Sequence, residues 1–349
     1  MPVIKNRYIL AGIFFLSLSF VSAESKLDGY SLFTHTYTGI LYGQAQEIVY
    51  KYPGENQFLS QLHWDLKPLI YLGFGADFGR SKPFEKNGFI AALSCKFGLP
   101  LKTGSHENRD WLNPDNEWQT HYSWHDAYSQ NAFHFDLSCG YSWYLDNTFT
   151  IRFHADFSFM GYTWSGEDGY IQYPTNSSGE YIYETAPEWH NNLKKDYVSG
   201  IVIVYTQSWF LVSPGISFKA KLGSKFGLEG HFNYSPLAFC IARDDHLFGL
   251  NSRYSKGASY WDVLQFGEYI SAGSKLSFLP NQFFDLSLSA SYRFIDKIRG
   301  RTYKRDTGIG NNQAYMTSLD GGGARYSAFD IQLSARLRAH DWFTKQNRP

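Results

Sequence analysis

Cysteine is scarce in this chain. Cys95, Cys139 and Cys240 are too few and too scattered for a disulfide scaffold or a zinc site, and each falls within a predicted strand as a small packing residue. Neither sign of charge is in excess. The 32 basic residues against 32 acidic ones leave no electrostatic footprint for nucleic acid. After the N-terminal segment, no stretch approaches the roughly twenty apolar residues a spanning helix requires. Helical periodicity is almost absent, and internal repeats, low-complexity segments and linkers are missing, which points to one domain. What abounds is aromatic: 29 Phe, 26 Tyr and 10 Trp exceed the needs of a soluble core and suit the girdles of a barrel in lipid.

Residues 1–23 read as a secretory signal, with Lys5 and Arg7 as the basic end, Tyr8 to Val21 as the apolar centre and Val21-Ser22-Ala23 as a small-residue cleavage site. The mature domain is then expected over 24–349. Within it, alternation at period two dominates. Phe284, Leu286, Leu288, Ala290 and Tyr292 share one face, while Asp285, Ser287, Ser289, Ser291 and Arg293 share the other. A soluble sandwich would also alternate, but several runs are longer than the five or six residues usual for soluble strands, and a membrane needs roughly nine to eleven.

Ten strands are predicted, near 30–51, 57–79, 87–100, 129–145, 147–164, 200–222, 225–244, 260–279, 283–303 and 326–340. Short breaks at 81–86, 146, 223–224 and 280–282 read as periplasmic turns. Polar segments at 52–56, 101–128, 165–199, 247–259 and 304–325 read as outer loops, with Gly321-Gly322-Gly323 as loop flexibility before the last strand. The expected fold is all-β: a ten-stranded antiparallel transmembrane β-barrel with long extracellular loops, whose closed sheet satisfies every backbone donor in lipid.

Two polar groups carry the chemistry. At the top of the seventh strand, Asp244 and His246 stand two residues apart and project to the same side, so the carboxylate can orient the imidazole and let it take a proton from water. The same pair is also what a solvated loop start looks like. The second group, Asn108-Arg109-Asp110-Trp111, follows the third strand, and a ten-stranded barrel can set the two groups across a cleft from each other. His121 and His125 have helix-style metal spacing but fall in a Trp- and Tyr-rich loop, so no metal is expected there. No Gly-x-Ser-x-Gly elbow is present.

These residues, in this order, resemble the omptins, ten-stranded outer-membrane proteases of Gram-negative bacteria. Glu47-Ile48-Val49-Tyr50 is similar to the family's Glu-x-Val-Tyr, and Ser60-Gln61-Leu62-His63-Trp64 to its Ser-Gln-Leu-Asp-Trp, with His63 at the Asp position. Asp110-Trp111 with Trp118 resembles the second-loop motif, Phe135-Asp136-Leu137 the strand after it, and Asp244-Asp245-His246 the Asp-x-His dyad. The resemblance implies an aspartic-type endopeptidase without a cofactor, working as a monomer on peptide or protein substrates from the outer membrane. His246, oriented by Asp244, would activate a water held with second-loop acids, and Glu47 would line the pocket for the residue before the cut, which in omptins is basic.

The departures are specific. Asn108 stands where the family has a first Asp, leaving Asp110 alone, and Glu107 is the neighbour that could substitute. Ala242 replaces an acidic partner of Glu47, which weakens the expected preference for a basic residue. Thr120 replaces an Asp of the second loop and, from that place, is expected to touch substrate. Phe157, Phe159 and Gly161 stand where a basic cluster would hold lipopolysaccharide, so that dependence does not carry over. Two other readings compete: a catalytically silent barrel that binds partners through its loops, favoured by Asn108, and a porin-like pore, supported by the polar inward face.

Overall fold

The computed structural model describes residues 29–51, 57–81, 83–247, 258–279, 284–306 and 315–338. The predicted signal segment and the residues after the last strand lie outside these. In chain order the strands are β1 (Tyr30–Tyr50), β2 (Phe58–Arg80), β3 (Gly88–Gly98), β4 (Lys102–Asp110), β5 (His121–Tyr144) and β6 (Phe149–Gln172). They continue with β7 (Asp196–Tyr197), β8 (Ile201–Leu222), β9 (Phe226–His246), β10 (Ala258–Phe278), β11 (Phe284–Asp306) and β12 (Tyr315–Arg338). All pairings are antiparallel, and β1 pairs with both β2 and β12, closing the sheet on itself.

Twelve strands occupy ten positions in that ring. β3 pairs with one half of β2 and β5, and β4 pairs with the other half of the same two strands. They are one stave, broken at Leu99-Pro100-Leu101, where proline has no N–H to give to the ladder. β7 is a two-residue strand that only flanks β6. The predicted ten staves are therefore present, with Pro214 inside β8 as expected.

The difference lies in their length. The second predicted loop is largely strand: β4 and the first residues of β5 run through 101–128. β6 reaches Gln172, and β12 begins at Tyr315, so Gly321-Gly322-Gly323 belong to a strand and not to a loop. Most staves span 21 to 24 residues, whereas roughly nine to eleven cross a bilayer. The extra length stands clear of lipid, where both faces of a strand can be polar. Hydrophobic alternation fades there although the backbone ladder continues.

A band of exposed apolar side chains girdles the barrel. Its edge toward the long connections runs near Tyr42, Leu237, Phe266 and Phe329, and its other edge near Phe226, Phe278 and Leu337. Such a belt on a closed sheet is a transmembrane β-barrel. Short turns (83–87, 145–148, 223–225) join strands at one end and longer segments (111–120, 173–200) at the other.

The lumen is polar within the belt, where it keeps open space, and is closed by aromatic side chains above it. Within the belt it holds ion pairs: Lys96 with Asp330, Arg293 with Asp136 at 3.2 Å, and Arg336 with Asp285 at 2.6 Å. Above them lies an aromatic layer of fully buried Trp64, Trp164, Trp209, Tyr162, Tyr205 and Tyr326. Trp64 stacks near Trp164 and Tyr205 at 6.0 and 5.6 Å. Opposite walls are bridged here: Tyr162 and Tyr326 share a 2.7 Å hydroxyl contact, and Gln207 Nε2 donates to the Gln46 carbonyl at 2.8 Å. The mouth beyond this layer is a separate compartment.

Candidate active site at the mouth of the barrel

Three strand ends build the mouth. At the end of β9, alternation turns Asp244 and His246 inward together. His246 Nε2 lies 2.5 Å from Asp244 Oδ2, and the ring stands edge-on to Tyr260 at 5.6 Å. Asp244 is buried, but the imidazole keeps 47% of its surface open, enough for water to reach it. Burial alone would lower the His246 pKa. The charge and hydrogen bond of Asp244, helped by Asp110 and Asp245, outweigh it and hold the ring above its ordinary value.

Asp110 closes β4 on the facing wall, buried, where its charge and that of His246 favour one another. Asn108 Nδ2 donates to Asp110 Oδ2 at 3.2 Å, and Ser60 Oγ on β2 donates to Asn108 Oδ1 at 2.8 Å. Burial pushes the Asp110 carboxyl up to about 6, against the pull of its donors and of His246. Both sides of this pair lie above the lipid belt. Asn108 therefore keeps a defined place, as an amide that locates the remaining acid.

Glu107 does not take the missing place. It points to the other face of β4 and pairs with Arg109 Nη2 at 2.9 Å. Thr120, expected to touch substrate, is fully buried. Its hydroxyl donates to the Asp110 carbonyl at 3.0 Å and accepts from the Leu112 amide at 3.1 Å, so it pins the 111–119 turn that carries Asp110. Lys51 holds the same turn by donating to the Asn113 and Asn116 carbonyls at 2.7 and 3.2 Å. His121 and His125 are buried on β5, not in a loop. His121 Nδ1 lies 2.8 Å from Thr120 Oγ1, and among the described residues no group of side chains is placed to hold a metal ion.

Glu47 on β1 faces inward, 3% exposed, with Oε2 lacking any hydrogen-bond partner. Ala242 is buried on β9 as its alternation with Asp244 requires, and contributes no charge. Directly across the ladder from it stands Asp262 of β10, inward-facing and buried, accepting from Thr302 Oγ1 at 2.7 Å. Asp262 did not emerge from the sequence. Its signal there was an acid at an inward position of a strand otherwise lined by Leu264 and Tyr269.

The family model of the omptins matches residues 29–338. The chain belongs to the omptin family. The outer membrane protease OmpT from Escherichia coli is similar in structure, with a TM-score of 0.73 at 17% identity over 91% of this chain and 99% of that one. The translocator domain of the autotransporter NalP from Neisseria meningitidis also aligns, over 95% and 96% of the two chains, at 9% identity and a TM-score of 0.31. No curated protein sequence matches the chain significantly. This omptin is thus a member of a family of Gram-negative outer-membrane proteases that act on peptides and associate with outer-membrane lipid, and its ring of ten staves is that of the OmpT fold.

Proposed function

We propose that this omptin is an endopeptidase of the outer membrane, with the mouth that holds His246 facing the exterior. A water between His246 and Asp110 is the nucleophile. With Nε2–H directed to Asp244, Nδ1 is the free base, and it takes the water's proton as oxygen attacks the peptide carbonyl carbon. The imidazolium then returns that proton to the leaving amine as the C–N bond breaks. Asp244 supports the transient positive charge, and Asp110 positions the water opposite. Membership of a protease family and the 2.5 Å Asp244–His246 pair, solvent-accessible and charge-coupled to Asp110, carry this reading.

Asn108 favours a second reading, a silent barrel that binds peptides without cutting them, because an amide supplies neither negative charge nor a proton acceptor. The pore reading is opposed by the aromatic layer bridged at Tyr162–Tyr326 and Gln207–Gln46. Hydrolysis of a mixed peptide library by the refolded protein, beside His246→Ala, separates the first two. Cleavage lost in the variant is expected; equal product from both proteins removes the dyad from the mechanism, and none from either favours the binding role. Ion conductance in a planar bilayer addresses the pore.

A further inference from the structure

The lumen has a second mouth, at the end of the short turns, and its charge is not balanced. A cavity of about 790 Å³ lies there, below the Arg293–Asp136 pair. Nine lysine and arginine side chains line it against four carboxylates. The adjoining cavity of about 320 Å³ in the middle of the belt has four of each sign, so a surplus of cations is not general to this lumen. The acids of the larger cavity are already engaged. Glu229 on β9 lies 3.0 Å from Arg152 Nη1 and 3.2 Å from Lys275 Nζ, while Asp285 and Asp77 lie 2.6 and 3.7 Å from the Arg336 guanidinium. Among the described residues, Lys86, Lys219 and Lys225 make no ion pair.

Strand register places the surplus. Ser217, Lys219 and Lys221 alternate on the inward face of β8, and Lys219 stands directly across the ladder from Glu229. Lys275 of β10 stands across from the same acid on its other side. One carboxylate thus serves Arg152 and Lys275 and leaves Lys219 uncompensated. Lys86 and Lys225, on the turns 83–87 and 223–225, are exposed at the rim. Aromatic rings hold two further cations in place: Lys221 Nζ lies 4.6 Å from the ring centre of buried Phe84, and the Arg336 guanidinium 4.5 Å from that of Phe33. Like charges gathered between low-dielectric walls repel one another and concentrate anions around them. An anion that enters relieves the repulsion. Phosphate oxygens accept from ammonium and guanidinium groups alike, and a space of this size is that of a small-molecule pocket, roughly 300–1,000 Å³.

We propose that this turn-end cavity binds a multivalent phosphate compound, with Lys219 inside it and Lys86 and Lys225 at its rim. The aromatic layer separates it from the mouth that carries His246, so it is a site of its own and not a subsite for peptide. With the His246 mouth facing the exterior, this one faces the periplasm, where soluble phosphate compounds and lipid headgroups both carry the chemistry it takes. The binding itself does not depend on cleavage.

The test is a calorimetric titration of the refolded full chain in detergent with tripolyphosphate. One molecule should bind per barrel, with an affinity that falls as salt rises, and inorganic phosphate should bind more weakly. Lys219→Gln combined with Lys225→Gln should lower the affinity by about tenfold or more, while Lys102→Gln on β4, outside the cavity, should leave it unchanged. Neither lysine of the double variant holds an ion pair, so it should fold, as different migration of folded and boiled samples on a denaturing gel would show. Tripolyphosphate should raise the urea midpoint of the wild type and not that of the double variant. Micelles carrying phosphatidylglycerol separate the sources: displacement of tripolyphosphate assigns the cavity to a lipid headgroup, and its retention to a soluble phosphate compound, either of which upholds the site. Absence of binding, or equal binding by the wild type, the double variant and Lys102→Gln, overturns it.

Discussion

Within the lipid belt, inward-facing acids meet inward-facing bases: Lys96 and Asp330, Arg293 and Asp136, Arg152 and Glu229 at 3.0 Å, Arg336 and Asp285. Past the aromatic layer, among the described residues, Glu47 and Asp262 have no such partner, and Asp244 has only an imidazole. Both levels belong to one lumen and draw on the same residue types. The lower level spends its charge on holding opposite walls together. The upper level leaves charge unmatched, and unmatched buried charge is where a substrate or a transferred proton has something to do. Removing a residue should therefore have different consequences at the two levels.

The largest effect is expected above. His246→Ala should lower kcat/KM for peptide cleavage by about a thousandfold, the scale of a lost general base, while folded and boiled samples still migrate differently on a denaturing gel. The converse is expected below. Lys96→Met leaves Asp330 buried without its cation and should cost about 3–5 kcal/mol of stability in urea unfolding, with cleavage by the folded fraction unchanged. If Lys96→Met abolished cleavage in folded protein, the separation of the two levels would fail.

A smaller change sharpens the account of the dyad. The base works only when His246 is neutral, and its pKa is raised, so kcat/KM should fall as pH drops through that value; Asp110, titrating at about 6, adds to the loss. Asp244→Asn removes the charge that raises the histidine, so the acid limb of the residual activity should move to lower pH. A limb that stayed in place would show that Asp244 does not tune the ring. Smallest is Asn108→Asp, expected to raise kcat/KM about tenfold above pH 7 and to push the acid limb upward, because a second carboxylate beside Asp110 makes its ionisation harder. With Glu107 turned away and paired to Arg109, no change in rate would mean that Asp110 alone suffices.

The staves were legible where lipid touches them, because an apolar outer face and a polar lumen alternate at period two along Phe284–Phe294 and Phe329–Leu337. They were illegible above the belt. Lys102–Asp110 is polar on both faces, and Tyr315–Arg325 mixes apolar and polar residues around three glycines without alternation, so both read as loops while the ladder runs on. Asp244 and His246 were legible for a local reason, since two residues on one strand always share a face. Thr120 misled, because its sequence position said nothing of a hydroxyl already committed to the Asp110 carbonyl and the Leu112 amide.

The sequence alone determined the closed, lipid-belted sheet and its ten positions, the inward pairing of Asp244 with His246, and the membership that Glu47, Asp110 and the dyad announce by their order. These depend on period and spacing along one strand at a time. Only the tertiary structure decided that Asp262 faces Ala242 and that an aromatic layer parts the mouth from the ion-paired lumen. Those facts depend on the register between strands far apart in the chain, which closure of the barrel sets and no local pattern encodes.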